Sequence, residues 1–237
     1  DLPPNGVCAR NSGRAHQRPD FAAPPARLDP DPMSILLLRH GETLLNVSRT
    51  IQPAATPLGP RGLAQAHALA RRVAAMDVGA IVSSDLPRAL QTAEAIAAAC
   101  RLPIVREPLL QERNFGDLRG RSRDELDFDP LTMRDAPPGG ESAAQFHDRV
   151  ARAFVRIVAL HAGLERGNLA VVTHGLVIGA MLERHLQRAG AMSAPARLSN
   201  TSLTMFAAEP PHRVALLDCT AHLDDNIAED RQCLSGG

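Results

Sequence analysis

Short unbroken apolar runs alternate along this chain with stretches whose apolar residues recur every three or four positions. Ile35, Leu36, Leu37 and Leu38 form the first run and leave no polar side chain to face water. A strand of that kind is buried on both faces, as in a parallel sheet. Residues 80–82 and 169–172 read the same way. Between them, Leu63, Ala66, Ala70 and Val73 share one helical stripe, and Ala89, Ala93, Ile96 and Cys100 share another. Phe146, Val150, Ala153, Ile157, Leu160 and Leu164 mark a long amphipathic helix, and a further helix follows the third run to about Leu186. Residues 203–206 and 214–217 read as late strands and a candidate antiparallel pair. The alternation predicts an α/β fold, a three-layer α/β/α sandwich around a mostly parallel central sheet.

The ends read differently. Residues 1–32 hold seven prolines and no helical or strand period. Such a stretch buries too little apolar surface to offset its ordering entropy, which predicts a disordered N-terminal arm. Met33 stands just before the first run and is a candidate natural start. A folded domain is expected over 33–225 and a loose tail over 226–237.

Charge and cysteine usage narrow the function. Twenty-six basic and 26 acidic residues cancel, so no bulk attraction to nucleic acid or to an anionic membrane is expected. Every cation is Arg, which excludes a Schiff-base lysine and a Walker A loop. The guanidinium fork matches phosphate oxygens, although a general preference for Arg over Lys explains most of the count. Cys8, Cys100, Cys219 and Cys233 form no CxxC pair, and no His/Cys/Asp cluster has metal-ligand spacing. No apolar run nears the ~18 residues of a membrane span, and the acidic, Pro-rich start is unlike a signal peptide. A cytoplasmic protein with reduced thiols is the expectation. Nothing in the sequence sets an oligomeric state.

Three of the predicted strands end in chemistry-bearing residues. The first runs into Arg39, His40 and Gly41, the second through Ser83, Ser84 and Asp85 to Arg88, and the third into Thr173, His174 and Gly175. In an open α/β sheet, ligands bind outside the carboxyl ends of the strands. Two arginines and two histidines are therefore delivered to one edge, where phosphate can meet cations and helix-start N–H groups. Each element alone is weak, because a single strand-end histidine is more often structural.

Taken together, these segments resemble the histidine phosphatase superfamily, also called phosphoglycerate mutase-like. The opening motif matches at Leu38 through Thr43 with Asn46, and the second arginine motif at Ser83 through Ala89 with Gln91, Thr92 and Ala93. An acidic motif matches at Leu110 through Leu118, and the second histidine at Thr173, His174 and Gly175. Pro138 through Ser142 and Ala221 through Leu223 also look like family segments. The resemblance spans Ser34 to Leu223 and implies a role for each matching residue. His40 would attack phosphorus as a neutral imidazole, helped by Arg39 and Arg88, which disfavour its protonation. Arg39, Arg88 and His174 would hold the equatorial oxygens. Glu112 would protonate the leaving oxygen and then activate water. Asn46 and Gln52 would contact phosphate or substrate. No metal and no cofactor is implied, and the partner would be a small phosphorylated metabolite.

One loop departs from the pattern. After Gln52 come Pro53, Ala54, Ala55 and Thr56, where family members often carry a Gly and an Asp before the Pro-Leu pair. His222 reads as structural, as do the remaining histidines. Three functions stay open: a phosphate monoester hydrolase, a phosphoglycerate mutase-type isomerase, and a non-catalytic phosphate-binding regulatory domain. Only about 16 residues separate Gly120 from Pro137, which leaves little material for a substrate lid and favours the hydrolase.

Overall fold

The computed structural model describes residues 34–190, 192, 195, 197–224 and 227. The arm expected at 1–32 and, Ile227 apart, the tail expected at 226–237 lie outside the described residues. Six strands form one sheet in the order β3-β2-β4-β1-β5-β6. They are β1 (Ser34–Arg39), β2 (Val78–Ser83), β3 (Ile104–Arg106), β4 (Asn168–Thr173), β5 (Leu203–Ala207) and β6 (Val214–Cys219). The pairs β1–β4, β2–β4 and β2–β3 are parallel, whereas β5 pairs antiparallel with both β1 and β6. The sheet is thus mixed, with its four-stranded parallel part carrying the three predicted runs.

Helices cover both faces, which makes the predicted sandwich. Because successive strand residues point to opposite sides, the two faces can be read residue by residue. Ile35, Leu37, Leu169 and Val171 lie in one buried cluster with Phe146, Val150, Ile157 and Ile178, from α4 (Ala143–Ala162) and α5 (Gly175–Arg184). Leu36, Leu38, Ala170 and Val172 lie in the other with Leu69, Val73, Ala93 and Ile96, from α2 (Pro60–Ala74) and α3 (Pro87–Cys100). A single turn, α1 (Leu44–Val47), follows β1. Proline at the first position starts α2 and α3, where its missing N–H costs nothing. A reciprocal cap between Ser142 and Gln145 starts α4.

Several expectations need correction. Leu63 does not join the α2 stripe; it is 44% exposed on the first turn, while Ala66, Leu69, Ala70 and Val73 face inward. Leu164 lies beyond the end of α4, and α5 stops at Arg184, short of Leu186. The three-residue β3 has no counterpart among the predicted strands. It pairs only with β2, and its Val105 is 44% exposed, so it lacks the apolar run that marks the inner strands.

Candidate active site

All seven residues singled out by sequence are buried at the carboxyl edge of the parallel strands. His40, Arg39 and His174 follow or end β1 and β4, Arg88 opens α3, and Glu112 lies beyond β3. Their exposures run from 0% for His174 to 8% for Gln52. The His40 and His174 rings stand 5.1 Å apart between centroids, tilted by 57°.

The backbone around His40 is held from several directions. Its N–H donates to the Thr173 carbonyl, and its own carbonyl accepts from Thr201 N and from Asn200 Nδ2 at 2.9 Å. Gly41 N donates to Thr92 Oγ1, which itself donates to the Arg88 carbonyl, so α3 and the His40 loop are tied together. Gly41 and Gly62 meet backbone to backbone: a Cβ on Gly62 would lie 1.9 Å from the Glu42 carbonyl oxygen. Only glycine lets α2 come that close. Thr43 and Asn46 cap α1 reciprocally, which aims the Asn46 amide inward.

The ring of His40 has a defined proton position. Its Nδ1 lies 2.7 Å from the Gly41 carbonyl oxygen. A carbonyl can only accept, so Nδ1 carries the proton and Nε2 keeps its lone pair. Burial, then Arg88 and Arg39, hold the ring well below the ordinary imidazole range, against the upward pull of the Gly41 bond. His174 is pushed the same way by burial, Arg88, His40 and Arg39. Both rings are neutral at physiological pH.

Glu112 is governed by opposing effects. Its Oε1 accepts from Arg113 N at 2.9 Å, and its Oε2 from Leu176 N, in the first turn of α5, at 3.1 Å. These bonds, with Arg88 and Arg39, favour the carboxylate. Burial outweighs them, and the carboxyl is raised above its ordinary range. Burial also brings Arg88 down to about 10, against the pull of Glu112, which still leaves it a cation at neutral pH.

Several polar atoms here are buried without a hydrogen-bond partner among the described residues: Asn46 Nδ2, both amide atoms of Gln52, Arg88 Nε and His174 Nδ1. Buried polar atoms are normally paired, so unpartnered ones on residues gathered around His40 fit a site that a polar ligand would complete. The departing loop belongs to it, since Arg88 Nη1 donates to the Pro53 carbonyl at 3.5 Å. A cleft of about 820 Å³ adjoins the site at Arg39, Gly175 and Leu176, and residues 131–134 of the short connection line it.

Sequence reasoning misses some parts. Asn200, Thr201 and the Leu198 carbonyl, which accepts from Arg39 Nη1, come from a polar loop before β5 with no motif to flag it. Ser84 lies inside the second arginine motif, but nothing in the sequence gives it a task; its Oγ is 2.9 Å from His174 Nε2. His222 is indeed engaged structurally, beside Arg72 Nη1 and Thr201 Oγ1, and burial lowers it to about 4.

The buried neutral histidines make stability depend on pH. Folded His40 and His174 titrate below 6.5, so as pH falls through 6.5 the unfolded chain binds more protons than the folded one. Stability is then lost on acidification. Glu112 acts in the opposite sense, its contribution being present below 4.5 and lost as pH rises through its raised folded value. The melting temperature should fall from about pH 7 to about pH 5, less steeply in His174→Asn than in the parent. An identical slope in the two proteins would contradict a buried neutral His174.

Comparisons with known proteins agree with this geometry. The family model described as "Histidine phosphatase superfamily (branch 1)" matches residues 35–217. A Yersinia pestis (strain Pestoides F) protein named "Probable phosphoglycerate mutase GpmB" is 36% identical over 182 residues, covering 73% of this chain and 83% of that protein. Among solved structures, Bacillus stearothermophilus YhfR superposes with a TM-score of 0.68 at 29% identity, covering 80% of this chain and 98% of that one. The alpha-ribazole phosphatase from Shigella flexneri gives 0.65 at 26% identity, covering 80% and 98%. Mycobacterial glucosyl-3-phosphoglycerate phosphatase gives 0.65 at 25% identity, covering 79% and 99%. With a family model spanning most of the chain and this residue set gathered at one sheet edge, the protein belongs to the histidine phosphatase superfamily.

Proposed function

We propose that this protein is a phosphatase that hydrolyses small phosphate monoesters through a phosphohistidine on His40. The observation that carries the reading is the His40 Nδ1 bond to the Gly41 carbonyl, which leaves Nε2 as the attacking atom. In the first step Nε2 bonds to phosphorus, the bond to the leaving oxygen breaks, and Glu112 gives that oxygen its proton. In the second, water attacks phosphorus, Glu112 takes up the proton, and the P–N bond breaks to release inorganic phosphate. Arg39, Arg88 and His174 hold the equatorial oxygens, where charge spreads in the transition state, and Asn46 and Gln52 add amide contacts. The charge is met by guanidinium groups, so the scheme draws on no metal or other cofactor. The cleft beside Arg39 has room for an organic leaving group.

The names of the alpha-ribazole and glucosyl-3-phosphoglycerate phosphatases support hydrolysis. The name of the Yersinia relative supports the second reading, a mutase. Incubation with 3-phosphoglycerate and a bisphosphoglycerate primer, followed by assay of inorganic phosphate and 2-phosphoglycerate, separates the two. A panel of phosphate monoesters should yield phosphate with negligible interconversion, at a rate unchanged by EDTA. Rapid interconversion with little phosphate would establish the mutase instead. We place the protein in the cytoplasm, where Cys100 and Cys219 would stay free thiols. Among the described residues, no helix is long and apolar enough to cross a membrane.

A further inference from the structure

The task of the second histidine depends on which of its nitrogens carries the proton. His174 is neutral, so one nitrogen is a donor and the other an acceptor. Only the donor can meet a phosphoryl oxygen; the bare nitrogen would repel it.

Ser84 decides between them. It is fully buried, and its backbone is fixed on both sides: its N–H donates to the Val172 carbonyl at 2.9 Å, and its carbonyl accepts from Ser83 Oγ at 2.8 Å. Its hydroxyl oxygen accepts from Leu86 N at 3.3 Å and lies 2.9 Å from His174 Nε2. No other partner of that hydroxyl exists among the described residues. Two arrangements are conceivable. If His174 Nε2 were protonated and donated to Ser84, the serine proton would be left buried without an acceptor, and His174 Nδ1 would be a buried bare nitrogen. If Ser84 donates to Nε2, every polar atom of the pair is used except Nδ1–H, the one donor left over. The first arrangement leaves two buried polar groups unmet and the second leaves one, so the second is favoured. The leftover donor belongs to the ring that stands beside His40.

We propose that Ser84 is a positioning residue for phosphoryl transfer: its hydroxyl donates to His174 Nε2 and so holds the ring proton on Nδ1, where a phosphoryl oxygen can accept it. This rests on the phosphatase reading for its consequence, but not for the hydrogen bond itself. The logic is that of metal-bound histidines, whose second nitrogen is fixed by an outer partner, the loss of which typically costs about 10–100-fold in metal affinity or activity. Ser84→Ala should therefore lower kcat by about 10–100-fold, with KM moving far less, and Ser84→Thr, which restores the hydroxyl, should recover most of it.

The deciding measurement is the tautomer of His174, read from the ¹⁵N shifts of uniformly labelled protein near pH 7.5, with His174→Asn used to assign the ring. The parent should show the Nδ1–H form, and Ser84→Ala a shift toward Nε2–H. A parent ring already protonated on Nε2 would overturn the proposal without recourse to any variant. So would Ser84→Ala keeping both the tautomer and kcat, or losing kcat with the tautomer unchanged, which marks a merely structural serine. The shifts need no turnover, so they are independent of the product assay that tests the phosphatase reading.

Discussion

Replacing His40 by alanine is expected to lower kcat by at least roughly 10³-fold, as loss of a covalent nucleophile does. Three features of the site make His40 the attacking group. Its Nδ1 is committed to the Gly41 carbonyl, which leaves the Nε2 lone pair for phosphorus. Burial, Arg88 and Arg39 keep that lone pair unprotonated. Bonds from Asn200 and Thr201 to its carbonyl, and from its own N–H to the Thr173 carbonyl, fix the backbone that carries the ring. Arginine and His174 contacts would survive in the variant and account for residual turnover. Rapid quench of the parent with labelled substrate should trap an acid-labile, base-stable phosphoenzyme that the variant lacks. Near-normal turnover in His40→Ala would sink the covalent mechanism.

Glu112→Gln should slow alkyl phosphates by about 10²–10⁴-fold, the usual worth of a positioned acid. The carboxyl is suited to that work by the balance of its surroundings. Two backbone donors hold its oxygens in place, and burial raises its pKa above the ordinary carboxyl range, toward that of a group that can give a proton. Glutamine keeps an acceptor for one of those N–H groups but presents its NH₂ to the other, so some loss of stability should accompany the loss of rate. Aryl esters should suffer less in their first step, because a nitrophenolate leaves without a proton. Equal losses for alkyl and aryl substrates would move the acid's role elsewhere.

The sequence announces the residues that do chemistry more readily than the contacts that make them work. Residues 35–38 and 169–172 have no polar side chain to turn outward and are short, which fits inner strands of a sheet covered on both sides. The motif around His40 and the histidine after Thr173 can then be placed at one edge by the geometry of parallel strands alone. Local chemistry of this kind is legible without knowledge of distant partners. The three-residue β3 is not: an edge strand paired on one side keeps an exposed Val105 and has no buried period to display.

What tertiary structure alone decides is the state of each group. The sequence can name Glu112 as an acid, but its raised pKa follows from burial in the folded site, which outweighs the opposing bond from Leu176 N, 64 residues away. It can name His174, but the nitrogen that would bear its proton is set by Ser84, which approaches from 90 residues earlier in the chain. Gln52 sits in a loop that departs from the family pattern, yet folding buries it and leaves both amide atoms without a partner among the described residues. Residue type is local and is written in the chain. Proton position, charge state and reach depend on desolvation and on partners brought together by the sheet, and those exist only once it has formed.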